Sequence, residues 1–118
     1  MVRGIRGAIT STNTVEDISN DSVELINRIM SENNITEDDI ASVIFTMTND
    51  LNAVYPAKAV REHGFKYVPF MCYQELDVEN SLKNCIRVLV NVNTEKKSDE
   101  IHHIYLKGAR VLRPDLLK

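Results

Sequence analysis

From Cys85 to Asn93 the chain runs Cys-Ile-Arg-Val-Leu-Val-Asn-Val-Asn, with Ile86, Val88, Val90 and Val92 at every second position. Branched aliphatic residues at period two specify a strand with one wholly apolar face, because successive side chains of an extended chain point to opposite sides. Arg87 falls on the other face, beside Cys85 and Leu89. Two readings are open for a charge placed there. It is a rim residue whose stem packs while its head stays in water, or it holds an anion inside a pocket. The second reading gains a polar counterweight in Glu75, just past the apolar run Val68-Pro69-Phe70-Met71-Cys72-Tyr73.

The rest of the chain bears on that choice. At 118 residues it is expected to form one domain, residues 1–118. A chain of that size buries roughly two thirds of its unfolded surface. No apolar run approaches the ~18 residues of a membrane span. Met1 to Gly7 carries two arginines with no apolar stretch after them, so no signal peptide is expected. Cys72 and Cys85 lie thirteen residues apart with no clustered histidines, which predicts reduced thiols in a cytoplasmic protein and no metal site. Net charge is −3, but residues 1–50 hold three cations against nine acids, and residues 51–118 hold eleven against eight. The cations are scattered rather than striped with aromatics, which excludes nucleic acid and favours a small anion as partner.

Val2 to Thr10 reads as a first strand interrupted by Gly4 and Gly7. Glycine in a strand often marks close approach by another backbone or a ligand. Arg6 between them is an edge-strand arginine or one that reaches a ligand over a cleared floor. Thr14 followed by Asp17 starts a helix, and Ile18, Leu25, Ile26, Ile29 and Met30 give it an apolar stripe until Asn33-Asn34. Thr36 to Asp39 opens a short helical turn, and Val43 to Met47 reads as a strand buried on both faces. Pro56 suits the first turn of a short helix closed by Gly64, which places Lys58 and Arg61 on one side, after Tyr55. Tyr67 to Tyr73, Cys85 to Asn93 and Ile101 to Leu106 complete the strands, with a short polar segment, Asp77 to Asn84, read as one helical turn between the first two. Tyr105 shares a face with His103 and Lys107; the three histidines read as surface or rim residues.

The expected architecture is therefore α+β, a mixed five-stranded sheet with one long and one short helix. So few helices cannot cover both faces of such a sheet. The semi-polar face of Cys85, Arg87 and Leu89 predicts a symmetric oligomer whose copies cover it jointly.

Five separated blocks then carry a resemblance. They are Arg3-Gly4-Ile5-Arg6-Gly7-Ala8, Val54 to Glu62, Cys72-Tyr73-Gln74-Glu75-Leu76-Asp77-Val78, Lys83 to Val88, and Val111-Leu112-Arg113-Pro114-Asp115-Leu116. In this order they resemble the AroH-type (Bacillus-type) monofunctional chorismate mutases over nearly the whole chain. The resemblance implies a homotrimeric pseudo-barrel with active sites between subunits, and no cofactor or metal. It implies an isomerase that converts chorismate to prephenate, a [3,3] sigmatropic step toward phenylalanine and tyrosine. It assigns Arg87 to the ether oxygen and a carboxylate of that dianion, Arg6 to a carboxylate, and Tyr105 to a nearby hydrogen bond. Glu75, helped by Cys72, would accept from the ring hydroxyl, and Tyr55, Lys58, Arg61 and Arg113 would line the entrance. Tyr55 and Tyr73 stand where the family commonly has Phe and Met, and the chain ends soon after Leu117. An imine-hydrolysing trimer of the RidA type would explain the sheet and one arginine, but not Arg6, Glu75, Arg87 and Tyr105 together. A catalytically silent binding trimer differs only in lacking turnover.

Overall fold

Strand β4 (Cys85–Asn93) runs through the middle of the sheet, as its unbroken apolar face requires. The computed structural model describes residues 1–113. Around β4 stand β1 (Val2–Thr10), β2 (Ile40–Met47), β3 (Phe70–Gln74) and β5 (Ile104–Leu106), in the order β3-β2-β4-β1-β5. β4 is antiparallel to both of its neighbours, while the outer pairs β2–β3 and β1–β5 are parallel. The sheet is mixed, as expected.

Helix α1 (Val15–Asn33) begins where Thr14 Oγ1 accepts from the Asp17 backbone N–H at 3.0 Å. That side chain satisfies one of the donors left over in a first turn. It ends on Asn34 at φ 51, the left-handed conformation that stops a helix. Ile18, Leu25, Ile26 and Ile29 are buried against Ile5, Ile9, Val88 and Val90 in one core. Ala57 and Val60 of α2 (Pro56–Glu62) join that core, so both helices cover the same face of the sheet. The opposite face has a smaller buried cluster, Ala8, Cys85, Tyr105 and Ala109, and beyond it Met71, Tyr73 and Leu89 are exposed.

Four expectations change. β3 starts at Phe70 rather than Tyr67, because Pro69 has no N–H to give the ladder and offers only its carbonyl, to Val43 N at 3.0 Å. β5 is confined to Ile104–Leu106, since β1 pairs with it only from Gly7 to Ile9. β2 is buried on one side only: Val43 and Phe45 are inside, whereas Ile44 and Thr46 on the helix-free face are half-buried. Asp77 to Asn84 contains no helical turn; it bends at Asn80 and Asn84, both at positive φ. Pro114, Asp115 and Leu116 of the last family-like block, and the tail after them, lie outside the described residues.

Gly7 is required where α1 crosses β1. A Cβ there would lie 2.8 Å from Ile29 Cδ1 and 3.1 Å from both Leu25 Cδ1 and Val88 Cγ1. All three neighbours sit in the packed core, where room for a methyl comes only by displacing side chains. Gly7→Ala is expected to lower stability by about 1–3 kcal/mol, read as a lower urea midpoint at unchanged m-value. An unchanged midpoint would show that the helix seat is looser than this packing.

Candidate active site

Strand register lines up the helix-free face residue by residue. Arg87 lies across from Ala8 on β1 and Thr46 on β2; Ala8 lies across from Tyr105 on β5, and Thr46 from Tyr73 on β3. One row thus reads Tyr73, Thr46, Arg87, Ala8, Tyr105. In the adjacent row Arg6 pairs with Leu89. The small residues Gly4 and Ala8 flank Arg6 on its own face, which leaves its long side chain room above the sheet. At Gly4 even a Cβ would come within 3.1 Å of Leu89 Cδ1.

Glu75 is the first residue past β3, and its backbone N–H donates to the Met47 carbonyl at 2.7 Å. This parallel extension keeps Glu75 in phase with Met71 and Tyr73, facing Arg87. Its Oε1 forms an ion pair with Arg87 Nε, with the Arg87 and Glu75 side chains 30% and 18% exposed. The Nε atom is itself buried and meets the carboxylate without hydrogen-bond alignment. The Arg87 charge is held in place by this contact at low exposure, where opposite charges attract more strongly than in water.

Tyr105 is 5% exposed, and its hydroxyl is buried with no hydrogen-bond partner among the described residues. Lys107, expected on the same face, instead turns at φ 52 and donates from Nζ to Asp21 of α1 at 2.6 Å. That bond raises the Lys107 pKa. Burial pushes the Cys85 thiol up to about 11, so at neutral pH it is a packed thiol rather than a nucleophile.

The remaining predicted residues lie elsewhere. Cys72 is opposite Phe45 and shares the core-side phase of Phe70, not that of Glu75. With Tyr55, Lys58, Arg61 and Phe70 it lines a cavity of about 320 Å³ at the outer edge, and burial raises its thiol pKa. Tyr55 and Lys58 also border an adjoining cavity of about 450 Å³, toward Thr48 and Gln74. Arg113 lies past the 3₁₀ turn Lys107–Val111, near enough to His103 to disfavour a second positive charge there. Within one chain, then, Arg87 and Glu75 are joined, Arg6 and Tyr105 share their sheet face toward β5, and Cys72, Tyr55, Lys58 and Arg61 form a group beside β3. Among the described residues no three His, Cys, Asp or Glu side chains gather as a metal site.

Three contributors were not singled out from the sequence. Thr48 Oγ1 donates to Asp50 Oδ1 at 2.5 Å and accepts from the Cys85 N–H at 3.0 Å, while the Asp50 carboxylate accepts from Asn84 N. This knot fixes the start of β4 against the end of β2, and so the spacing of Arg87 from Glu75. The Thr-Asn-Asp string signals a side-chain-capped turn, but not which strand it ties. Asn33, read only as a helix end, is fully buried and bonds both the N–H and the carbonyl of His102. His103, read as a rim residue, accepts from the Arg6 N–H at 2.9 Å through Nδ1.

Comparison with known proteins gives a consistent result. Residues 2–116 match the family described as chorismate mutase type I. The chain is 48% identical to the chorismate mutase AroH of Bacillus subtilis, across 98% of this chain and 93% of that protein. It is 44% identical to the AroH enzyme of Thermus thermophilus, across 98% and 97%. A solved chorismate mutase from Clostridium thermocellum superposes with a TM-score of 0.90 at 44% identity, over 92% of this chain and 98% of that one.

Glu75→Ala removes the countercharge and leaves Arg87 Nε buried and uncompensated. It is expected to lower stability by about 1–3 kcal/mol, with Glu75→Gln falling between it and the wild type. Thermal unfolding without ligand checks this. An Ala variant as stable as wild type would show that Arg87 finds compensation elsewhere.

Proposed function

The chain belongs to the type I, AroH-type family of monofunctional chorismate mutases and is an isomerase, and from that premise we propose how its residues rearrange chorismate to prephenate. The carrying observation is the Arg87–Glu75 pair, fixed on a sheet face shared with Arg6 and Tyr105. A pericyclic step forms one C–C bond as one C–O bond breaks, within a single molecule. It calls for a compact substrate conformer and for a donor at the ether oxygen as negative charge grows there.

Arg87 supplies that donor. Its planar guanidinium contacts the ether oxygen and a carboxylate together, while Glu75 holds it from behind and accepts from the ring hydroxyl. Arg6 pairs with a carboxylate in a two-pronged bond, and Tyr105 offers its buried hydroxyl alongside. Tyr55, Lys58, Arg61 and Arg113 draw the dianion in at the mouth, and Cys72 packs against it there. Catalysis at the low end of enzymes lowers the barrier by about 8 kcal/mol. Fixed cations in a water-poor site are suited to this because no solvent has to reorganise when the charge shifts.

Geometry also supports a site shared between copies. Neighbouring strands lie about 4.8 Å apart, so the β3 and β5 edges of this sheet are separated by roughly 19 Å. A single small dianion cannot touch Cys72 and Arg61 at one edge and Tyr105 at the other. We infer a homotrimeric pseudo-barrel in which the Arg6–Arg87–Tyr105 face of one copy meets the Cys72, Lys58 and Arg61 edge of the next. The exposed Met71, Tyr73 and Leu89 of the helix-free face are suited to that burial. The setting we infer is the cytoplasm, on the route to phenylalanine and tyrosine. The two free thiols, Cys72 and Cys85, are compatible with it.

Two measurements test these readings. Loss of the conjugated-diene absorbance of chorismate, with prephenate as product, is expected for the wild type. Arg87→Lys should lose ~10²–10³ in kcat despite keeping the charge, because an ammonium lacks the planar fork. Citrulline at 87 separates shape from charge, and near-normal turnover in either variant would remove Arg87 from its role. In solution the mass should be three times 13.4 kDa. Arg61→Ala and Arg87→Ala, each strongly impaired alone, should recover partial activity when unfolded and reassembled together, since mixed trimers rebuild some intact sites. No recovery in mixed trimers would place both residues in one subunit's site.

A further inference from the structure

Backbone pairing between β1 and β5 stops at Gly7–Ile104. One residue earlier a side chain takes over: the backbone N–H of Arg6 donates to His103 Nδ1 at 2.9 Å. The imidazole is half-buried, and the residue before it cannot drift. Asn33 of α1, fully buried, accepts from His102 N at 2.8 Å and donates to His102 O at 2.9 Å. We propose that His103 is a positioning residue for Arg6, its bare Nδ1 replacing the missing ladder acceptor and so fixing where β1 presents the Arg6 guanidinium.

This rests on the substrate role proposed for Arg6 and adds a condition to it. Nδ1 accepts only while the ring is neutral with its proton on Nε2. A protonated ring donates from both nitrogens, so it would break the bond and set a cation beside the one that binds substrate. The charged and titratable groups acting on His103 are Arg6 from β1, Arg113 beyond the last 3₁₀ turn and His102 next to it, while Asn33 of α1 bonds the backbone of His102. Burial first, then these cations, hold the imidazole below its ordinary value of 6.5. As pH falls through that value the unfolded chain takes up the proton first, so stability is lost downward from about pH 6.5 toward the lower folded value.

The test combines a spectrum with kinetics. Nitrogen-15 NMR at pH 7.5 should show His103 unprotonated at Nδ1. In the wild type, KM for chorismate should rise about tenfold as the ring protonates, with kcat changing less; one lost hydrogen bond of ordinary strength corresponds to that factor. His103→Asn keeps an acceptor near Nδ1 without a titrating group, and should hold KM low across the range. His103→Phe should raise KM about tenfold at every pH. The Phe effect should vanish in an Arg6→Ala background. A proton on Nδ1, a flat wild-type KM, or a Phe effect that persists without Arg6 would overturn the proposal. A wild-type KM in Arg6→Ala alone would overturn the substrate role of Arg6, and the Nδ1 spectrum separates that failure from a failure of the contact.

Discussion

Everything in this molecule is arranged around a guanidinium that a carboxylate holds in the middle of a sheet. A charge on a central strand is expensive to desolvate unless it is compensated where it sits. Glu75 provides that compensation from just past the end of β3, two strands away in the sheet. The arrangement depends on ladder phase. A slip of one residue between β2 and β3 would turn Glu75 to the helix side and leave Arg87 alone. The Glu75–Met47 backbone bond opposes such a slip, and the Thr48–Asp50 knot fixes β2 against β4. They spend buried hydrogen bonds on register, where a plain loop would have connected the strands equally well.

The division of the sheet into two faces follows from the same constraint. All of α1 and α2 lies on the side of Ile86, Val88, Val90 and Val92, and Gly7 lets α1 come close enough to seal it. That frees the other side from carrying the single-chain core. It can keep a mixed surface in which a small buried patch around Cys85 and Tyr105 borders open, polar space near Arg6 and Arg87. Rigid strands suit such a site better than loops, since neighbouring ladders on both sides fix each functional Cα.

How far this was legible in the sequence depends on range. The alternation from Ile86 to Val92 was enough to place Arg87 on the sparse face, and the Thr14 and Asn34 caps to bound α1, because both signals are local. Strand ends were less legible where pairing rather than composition decides them: β5 stops because β1 offers it only three partners, which nothing in Ile101 to Leu106 reveals. Cys72 is three residues before Glu75, so a parity count puts the two in opposite phase, and only the family-like block groups them. Asn33 and His103 were missed for another reason. A helix-ending Asn and a lone His are common surface residues, and their value lies in partners 69 and 97 positions away.

The chemistry explains why so few of the buried reactive groups are poised to react. Burial keeps the Cys85 thiol protonated, Cys72 is shifted the same way, and the His103 ring is held neutral. In an enzyme that moves protons or makes covalent intermediates, such groups are tuned toward the operating pH. Here they are tuned away from it. A concerted rearrangement gains nothing from a nucleophile, and a reactive thiol beside an electron-poor enol ether would invite addition. What the step does need is positive charge that stays charged at any working pH. Arginine meets that requirement, because its guanidinium stays protonated throughout that range. On the reading proposed here, the two thiols and the His103 imidazole stay uncharged so that fixed cations set the field, and that imidazole holds Arg6 only while it is neutral.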